Sequence, residues 1–288
     1  MSECPTFEFK SESVRSWLWI VTANIQTQFK AWIFFVPNWI LNVCGIVVQV
    51  IIFFLMAKYV GAGSIAAEYG GSYSSYLLVG LLINRLLYVS MYSYFNAYAN
   101  GFWGSIFDLF NSHPLGVSGY VTGYVAFEHC RAFLEAVVYA VAIMLFTNLN
   151  FHVDDWKVLI AVGLLSLFTI SGIGMISAST FTILNAKQFG SPIAWIVSIL
   201  VQLTSGLYFP VSYVPKWAHP FGTILPQTYI YDAARRILIS RASIADSVLQ
   251  HDLYVLSIMA VILLPLGFIL LRASLKSGEM KGGLSRWT

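Results

Sequence analysis

Long apolar stretches, each about one bilayer thick, recur along this chain and are joined by short loops. At a helical rise of 1.5 Å, about 20 apolar residues cross the ~30 Å hydrocarbon core of a membrane. Six such stretches fall at roughly 36–58, 73–98, 119–146, 156–183, 192–209 and 252–271. Charged residues make up 10% of the chain and hydrophobic ones 58%. That is too little charge to cover a water-facing surface of this size. The fold class that follows is an all-α polytopic membrane protein with six transmembrane helices. It confines function to transport, signalling or chemistry within the membrane.

The flanks differ from the spans. Over residues 13–33, Trp17, Ile20, Val21 and Ile25 interleave with Arg15, Gln26 and Lys30, giving a partial apolar face that also carries charge. This pattern suits an amphipathic helix lying in the membrane interface. Residues 1–35 therefore read as a cytoplasmic N-terminal segment, 36–272 as the transmembrane domain and 273–288 as a basic tail. Glu3, Glu8 and Glu12 give the start no secretory-signal character. Lys10, Arg15, Lys30, Arg272, Lys276, Lys281 and Arg286 place both termini in the cytoplasm by charge asymmetry, within a cytoplasmic membrane. Against this, the predicted outer segment 210–250 holds Lys216, Arg235, Arg236 and Arg241. A net charge of +3 offers no footprint for nucleic acid. Cys4, Cys44 and Cys130 are scattered and predict neither a disulfide framework nor a metal site.

Charges inside spans are costly and single out residues for closer reading. Arg85 sits near the middle of the second span, and Glu128, Arg131 and Glu135 share one face of the third. The arginine stands between two carboxylates, with Arg85 in reach from the neighbouring helix. Two readings stay open: a polar lining to a substrate path, or an ion network that fixes helix packing. Tyr88, Tyr92 and Phe95 fall on one face of the second span. Trp195, Ile199, Gln202, Gly206 and Phe209 fall on one face of the fifth. Such an aromatic, weakly polar lining suits an amphiphilic substrate, although aromatic stripes also serve plain packing. Ser171, Gly174 and Ala178 allow close helix approach in the fourth span.

No HExxH, GxSxG or Gly-rich GK[ST] pattern occurs, and the five histidines are dispersed. The chain reads as no enzyme and as holding no cofactor or metal. If ATP drives it, another chain binds the nucleotide.

Two segments carry a resemblance. Ser205-Gly-Leu-Tyr-Phe-Pro210, Val214-Pro-Lys-Trp217 and Leu225-Pro-Gln-Thr-Tyr229, followed by Asp232 and Arg235, resemble the signature of permease subunits of type-2 ABC exporters. Gly104-Ser-Ile-Phe-Asp108-Leu-Phe-Asn-Ser-His-Pro114 looks like the cytoplasmic coupling helix of that family, with aspartate where glutamate is commoner.

The resemblance implies a fold with an N-terminal interfacial helix, six spans, a coupling helix at about 104–114, and an outer re-entrant hairpin at about 210–250. It implies a homodimer embedded in membrane lipids, and a separate ATPase subunit carrying ATP and Mg. Phe107, Asp108, Phe110, Asn111, His113 and Pro114 would couple to that subunit. Leu203, Leu207 and Phe209 would form an apolar outer constriction, and Pro226, Tyr229, Asp232 and Arg235 would shape the hairpin. The function implied is ATP-driven outward movement of a drug-like or lipid-like amphiphile. The alternatives are a lipid-linked polysaccharide exporter permease and, in another class, an ion-coupled carrier using Arg85, Glu128, Arg131 and Glu135.

Overall fold

The computed structural model describes residues 9–60, 72–110, 116–146, 154–184 and 190–280. Every regular element among them is helical: α1 (Phe9–Phe34), α2 (Val36–Val60), α3 (Tyr73–Trp103), α4 (Ile106–Phe110), α5 (Gly116–Phe146), α6 (Trp156–Ile183), α7 (Pro192–Thr204), a 3₁₀ turn (Val211–Tyr213), α8 (His219–Ile224), α9 (Pro226–Leu238) and α10 (Ser247–Met280). Five of these, α2, α3, α5, α6 and α10, are long and apolar enough to cross a membrane. At 31 residues each, α3 and α5 run about 46 Å, longer than the hydrocarbon core, so their ends project beyond it.

Glycine sets the closest helix approaches. A Cβ at Gly174 would lie 2.7 Å from the Ser90 carbonyl of α3, and one at Gly172 would lie 2.6 Å from the Leu263 backbone of α10. Gly267 returns the contact, 2.5 Å from the Gly172 carbonyl. Small residues thus bring α3 and α10 onto α6 at near backbone-to-backbone distance, where van der Waals packing rather than water release holds helices together in lipid.

The bundle has two distinct ends. At one, Phe95, Tyr98 and Phe102 of α3, Phe107 of α4, Tyr120 of α5, Phe181 of α6 and Leu271 of α10 form one apolar cluster. At the other, α9 packs Ala233 and Ile237 against Val158 and Val162 of α6 and Leu249 of α10.

The predicted N-terminal helix is present, four residues longer at its start. It tracks the first turns of α5, because Gly119 and Gly123 make room for Ile20 and Asn24, and Asn24 Nδ2 donates to the Tyr120 carbonyl at 2.9 Å. Trp19 and Phe34 stay exposed.

Three boundaries differ from the sequence expectation. The fifth stretch does not run as helix to Phe209; α7 ends at Thr204 after 13 residues. Gly206 takes a φ of 78°, a conformation that stops a helix and that glycine adopts without strain. The expected hairpin of 210–250 is a 3₁₀ turn and two short helices, and the last long helix begins within it, at Ser247. That helix also runs through Arg272 and Lys276 to Met280, so the basic tail starts as helix.

Candidate functional site

The break after α7 is built around one arginine. Beyond Thr204 the chain has no helical ladder, so its carbonyls need outside donors. Arg235 of α9 supplies them: Nη1 donates to Gly206 O at 2.8 Å, Nη2 to Leu207 O at 2.9 Å and Nε to Tyr76 O at 3.1 Å. Its guanidinium lies 3.5 Å above the Tyr76 ring, and the Tyr76 hydroxyl donates to the same Gly206 carbonyl at 2.5 Å. Arg235 is 1% exposed, and a planar fork of donors suits this triple engagement in a way an ammonium does not. Elsewhere in the hairpin, Pro226 opens α9 in its first turn. Tyr229 donates from its hydroxyl to Thr223 O at 3.0 Å, and Asp232 pairs with Arg236 at 2.8 Å.

Three of the four intramembrane charges predicted to meet are joined through Glu135. Arg85 of α3 reaches it at 2.7 Å, and Arg131 at 3.7 Å. Arg131 holds Glu128 at 2.6 Å. A fifth member, missed in the sequence, comes from α2: Asn42 Nδ2 donates to Glu135 at 2.8 Å and Asn42 Oδ1 accepts from Arg85 at 3.3 Å. The signal was one of three amides, with Asn38 and Gln49, inside the mostly apolar stretch 36–58, where a polar side chain needs a partner. Two positive and two negative side chains cancel, and the network ties α2, α3 and α5 together.

Beside this network α3 presents an open face between α2 and α7. One cleft is lined by Gln49, Asn84, Arg85, Tyr88 and Tyr139. A second shares Asn84 and Tyr88 with it and adds Ser198, Gln202 and Gln227. Tyr88, nearly half exposed, stacks on Tyr92 with centroids 4.3 Å apart, and Tyr92 bonds Ser198 of α7 at 3.1 Å. Trp195, Ile199 and Leu203 are exposed on the outer surface of α7, as is Phe209 beyond it.

Not every residue of the predicted lining is there. Phe95 is buried against Phe181, centroids 5.6 Å apart, because it belongs to the packed end of α3. Gly206 is buried, its carbonyl taken by Tyr76 and Arg235. Leu207 is 1% exposed and packs with Leu87, Ile230 and Tyr231, so within one copy it lines no constriction. The Arg235 clamp turns its side chain inward.

At the opposite end, α4 follows a bend in which Ser105 adopts a φ of 55°. Phe107 is fully buried between Tyr98 and Tyr120 and lies under Gly101, where a Cβ would clash at 2.4 Å. It anchors α4 from inside, while Leu109 is 76% exposed. Asp108 and Phe110 lie on this helix; Asn111, His113 and Pro114 lie outside the described residues.

A model of the ABC-2 type transporter family matches residues 79–239, more than half of the chain and both resembling segments. The chain belongs to the ABC-2 type transporter family. It is an integral membrane protein and an ABC transporter permease, and the family implies a partner ATPase subunit. The match starts within α3 and ends just past α9, so it takes in the ion network from α3 and α5, both clefts' α3 walls, α4 and Arg235 with the Gly206 and Leu207 carbonyls it holds. No curated protein matches the chain.

Proposed function

We propose that this ABC-2 permease is the membrane subunit of an ATP-driven exporter that moves an amphiphilic substrate outward, as a homodimer powered by a separate ATPase. The observation that carries this reading is the placement of two features at different depths of one bundle. The open α3 face, with Tyr88, Gln202 and Arg85, lies between α2 and α7. The exposed tip of α4 lies at the far end of the same α3.

In this reading a second copy closes the open faces into a path along α2 and α7. The short α7 with residues 205–209 makes the sixth crossing, running from Ser177 of α6, which bonds Ser191 at 2.5 Å, to Tyr76 near the other end of α3. Residues 1–35 and the tail lie in the cytoplasm, with Arg15, Lys30, Arg272 and Lys276 supplying the basic charge of that side. The ATPase docks there, through Asp108, Leu109 and the segment to Pro114. Its closure is transmitted through Phe107 into α3 and α5. The carrier alternative draws less support, because the four charges are engaged with one another and leave no relay.

Purification of the tagged full chain from its host in mild detergent tests the reading. A soluble P-loop ATPase at one-to-one ratio, lost on Asp108→Arg, supports it; a chain that purifies alone and without ATPase activity removes it.

A further inference from the structure

We infer that the cleft between α3, α7 and α9 receives an uncharged, hydroxyl-bearing head group; this deepens the export reading and rests on it. Gln227 is 2% exposed, lines this cleft, and its Oε1 accepts no hydrogen bond among the described residues. A buried acceptor left without a donor is costly, and the residue that carries it lines this cleft. Across the cleft, Asn84 has its Oδ1 occupied by the Tyr231 hydroxyl at 2.7 Å. Its amide N–H groups donate to no partner among the described residues. One group wants a donor and the other an acceptor, and a hydroxyl is both.

Charge points the same way. Arg85 is the charged residue among those lining the two joined clefts, and its Nε and Nη2 are bound to Glu135 at 3.0 and 2.7 Å. With Arg131 and Glu128 included the local sum is zero, so no net charge draws an anionic or a cationic head into the space. Tyr88, stacked on Tyr92 and held by way of Ser198, adds a flat apolar face for the ring or chain beside the hydroxyls.

The test uses the full chain in lipid nanodiscs and calorimetric titration with decyl maltoside, decyl sulfate and decyl trimethylammonium, each corrected against empty nanodiscs. Decyl maltoside is expected to bind about tenfold tighter than either charged analogue, the yield of roughly one well-placed polar pairing. Gln227→Leu removes that preference without lowering the unfolding temperature, because the amide oxygen it deletes makes no bond within the fold. Gln202→Glu, at an exposed position, shifts preference toward decyl trimethylammonium. Equal or tighter binding of a charged analogue to the unaltered chain, or an unchanged preference in Gln227→Leu, overturns the inference and leaves the export reading standing. Binding of none of the three overturns both.

Discussion

The Arg235 guanidinium sits 3.5 Å above the Tyr76 ring and bonds the Tyr76 carbonyl at 3.1 Å, joining α9 to the start of α3. Through its other nitrogens it holds the chain just past α7. One side chain therefore fixes where the fifth apolar helix stops and where the hairpin begins. Arg235→Ala takes a donor from each of three buried carbonyls, of which Gly206 O keeps the Tyr76 hydroxyl, and each unmet carbonyl costs about 1–3 kcal/mol. A loss of about 3 kcal/mol or more is expected, read as a lowered unfolding temperature in detergent. Arg235→Lys recovers only part of it, since an ammonium cannot span three carbonyls at that geometry. Gly80→Ala is expected to act on the same joint, because its Cβ would stand 2.3 Å from Arg235 Nη2 and 3.0 Å from Leu207 O.

The α6–α10 contact separates two kinds of glycine. At Gly172 a Cβ meets Leu263 backbone at 2.6 Å, which cannot move aside, whereas at Gly163 nothing lies within 4 Å. Gly172→Ala is expected to cost about 1–3 kcal/mol through overpacking. Gly163→Ala should be neutral or slightly stabilising, by up to about 1 kcal/mol, from helix propensity. Equal melting of the two variants would contradict the packing described.

The pair Arg85–Glu135 is read as a tie between helices rather than a relay. A double-mutant cycle with Arg85→Ala and Glu135→Ala, measured by unfolding, is expected to give a coupling of about 1–3 kcal/mol. Asn42→Ala should be milder, since it removes an amide that supports both partners without stranding a charge. A coupling near zero would mean that the pair does not hold α3 to α5.

Phe107 and Leu109 sit two residues apart and are expected to fail differently. Phe107→Ala empties a buried aromatic site and should cost about 3–5 kcal/mol. Leu109→Asp alters an exposed tip and should leave the unfolding temperature unchanged while weakening association with the ATPase. Pull-down of the partner alongside thermal unfolding of each variant separates the two effects.

Most of the architecture was legible because lipid leaves few options. The apolar stretches at 36–58, 73–98, 119–146, 156–183 and 252–271 all fall within long helices, and Gly174 packs closely as its spacing with Ser171 and Ala178 implied. The Glu128–Arg131–Glu135 arrangement followed from helical geometry alone, and Arg85 from the cost of an unpaired charge. The end of α7 was not legible from apolar content. Leu207, Tyr208 and Phe209 are as apolar as the helix before them, and what stops the helix is a glycine φ and an arginine 29 positions away. The same blindness hid Asn42, Asn84 and Tyr76, whose partners lie far along the chain. Phe95 was placed in a lining by helical period and Leu207 in an outer constriction by the resemblance, and in the structure both pack inward.

The central claim is that ATP hydrolysis on a partner drives outward movement through this chain. Its most direct measurement is flux of a decyl-chain fluorescent amphiphile in proteoliposomes holding this permease and its co-purified ATPase, with and without ATP and with imposed proton or sodium gradients. Accumulation that requires hydrolysable ATP, ignores the gradients and falls in Leu109→Asp is the expected result. Flux that follows a proton or sodium gradient in the absence of ATP would contradict the account and return attention to Arg85, Glu128, Arg131 and Glu135 as an ion path.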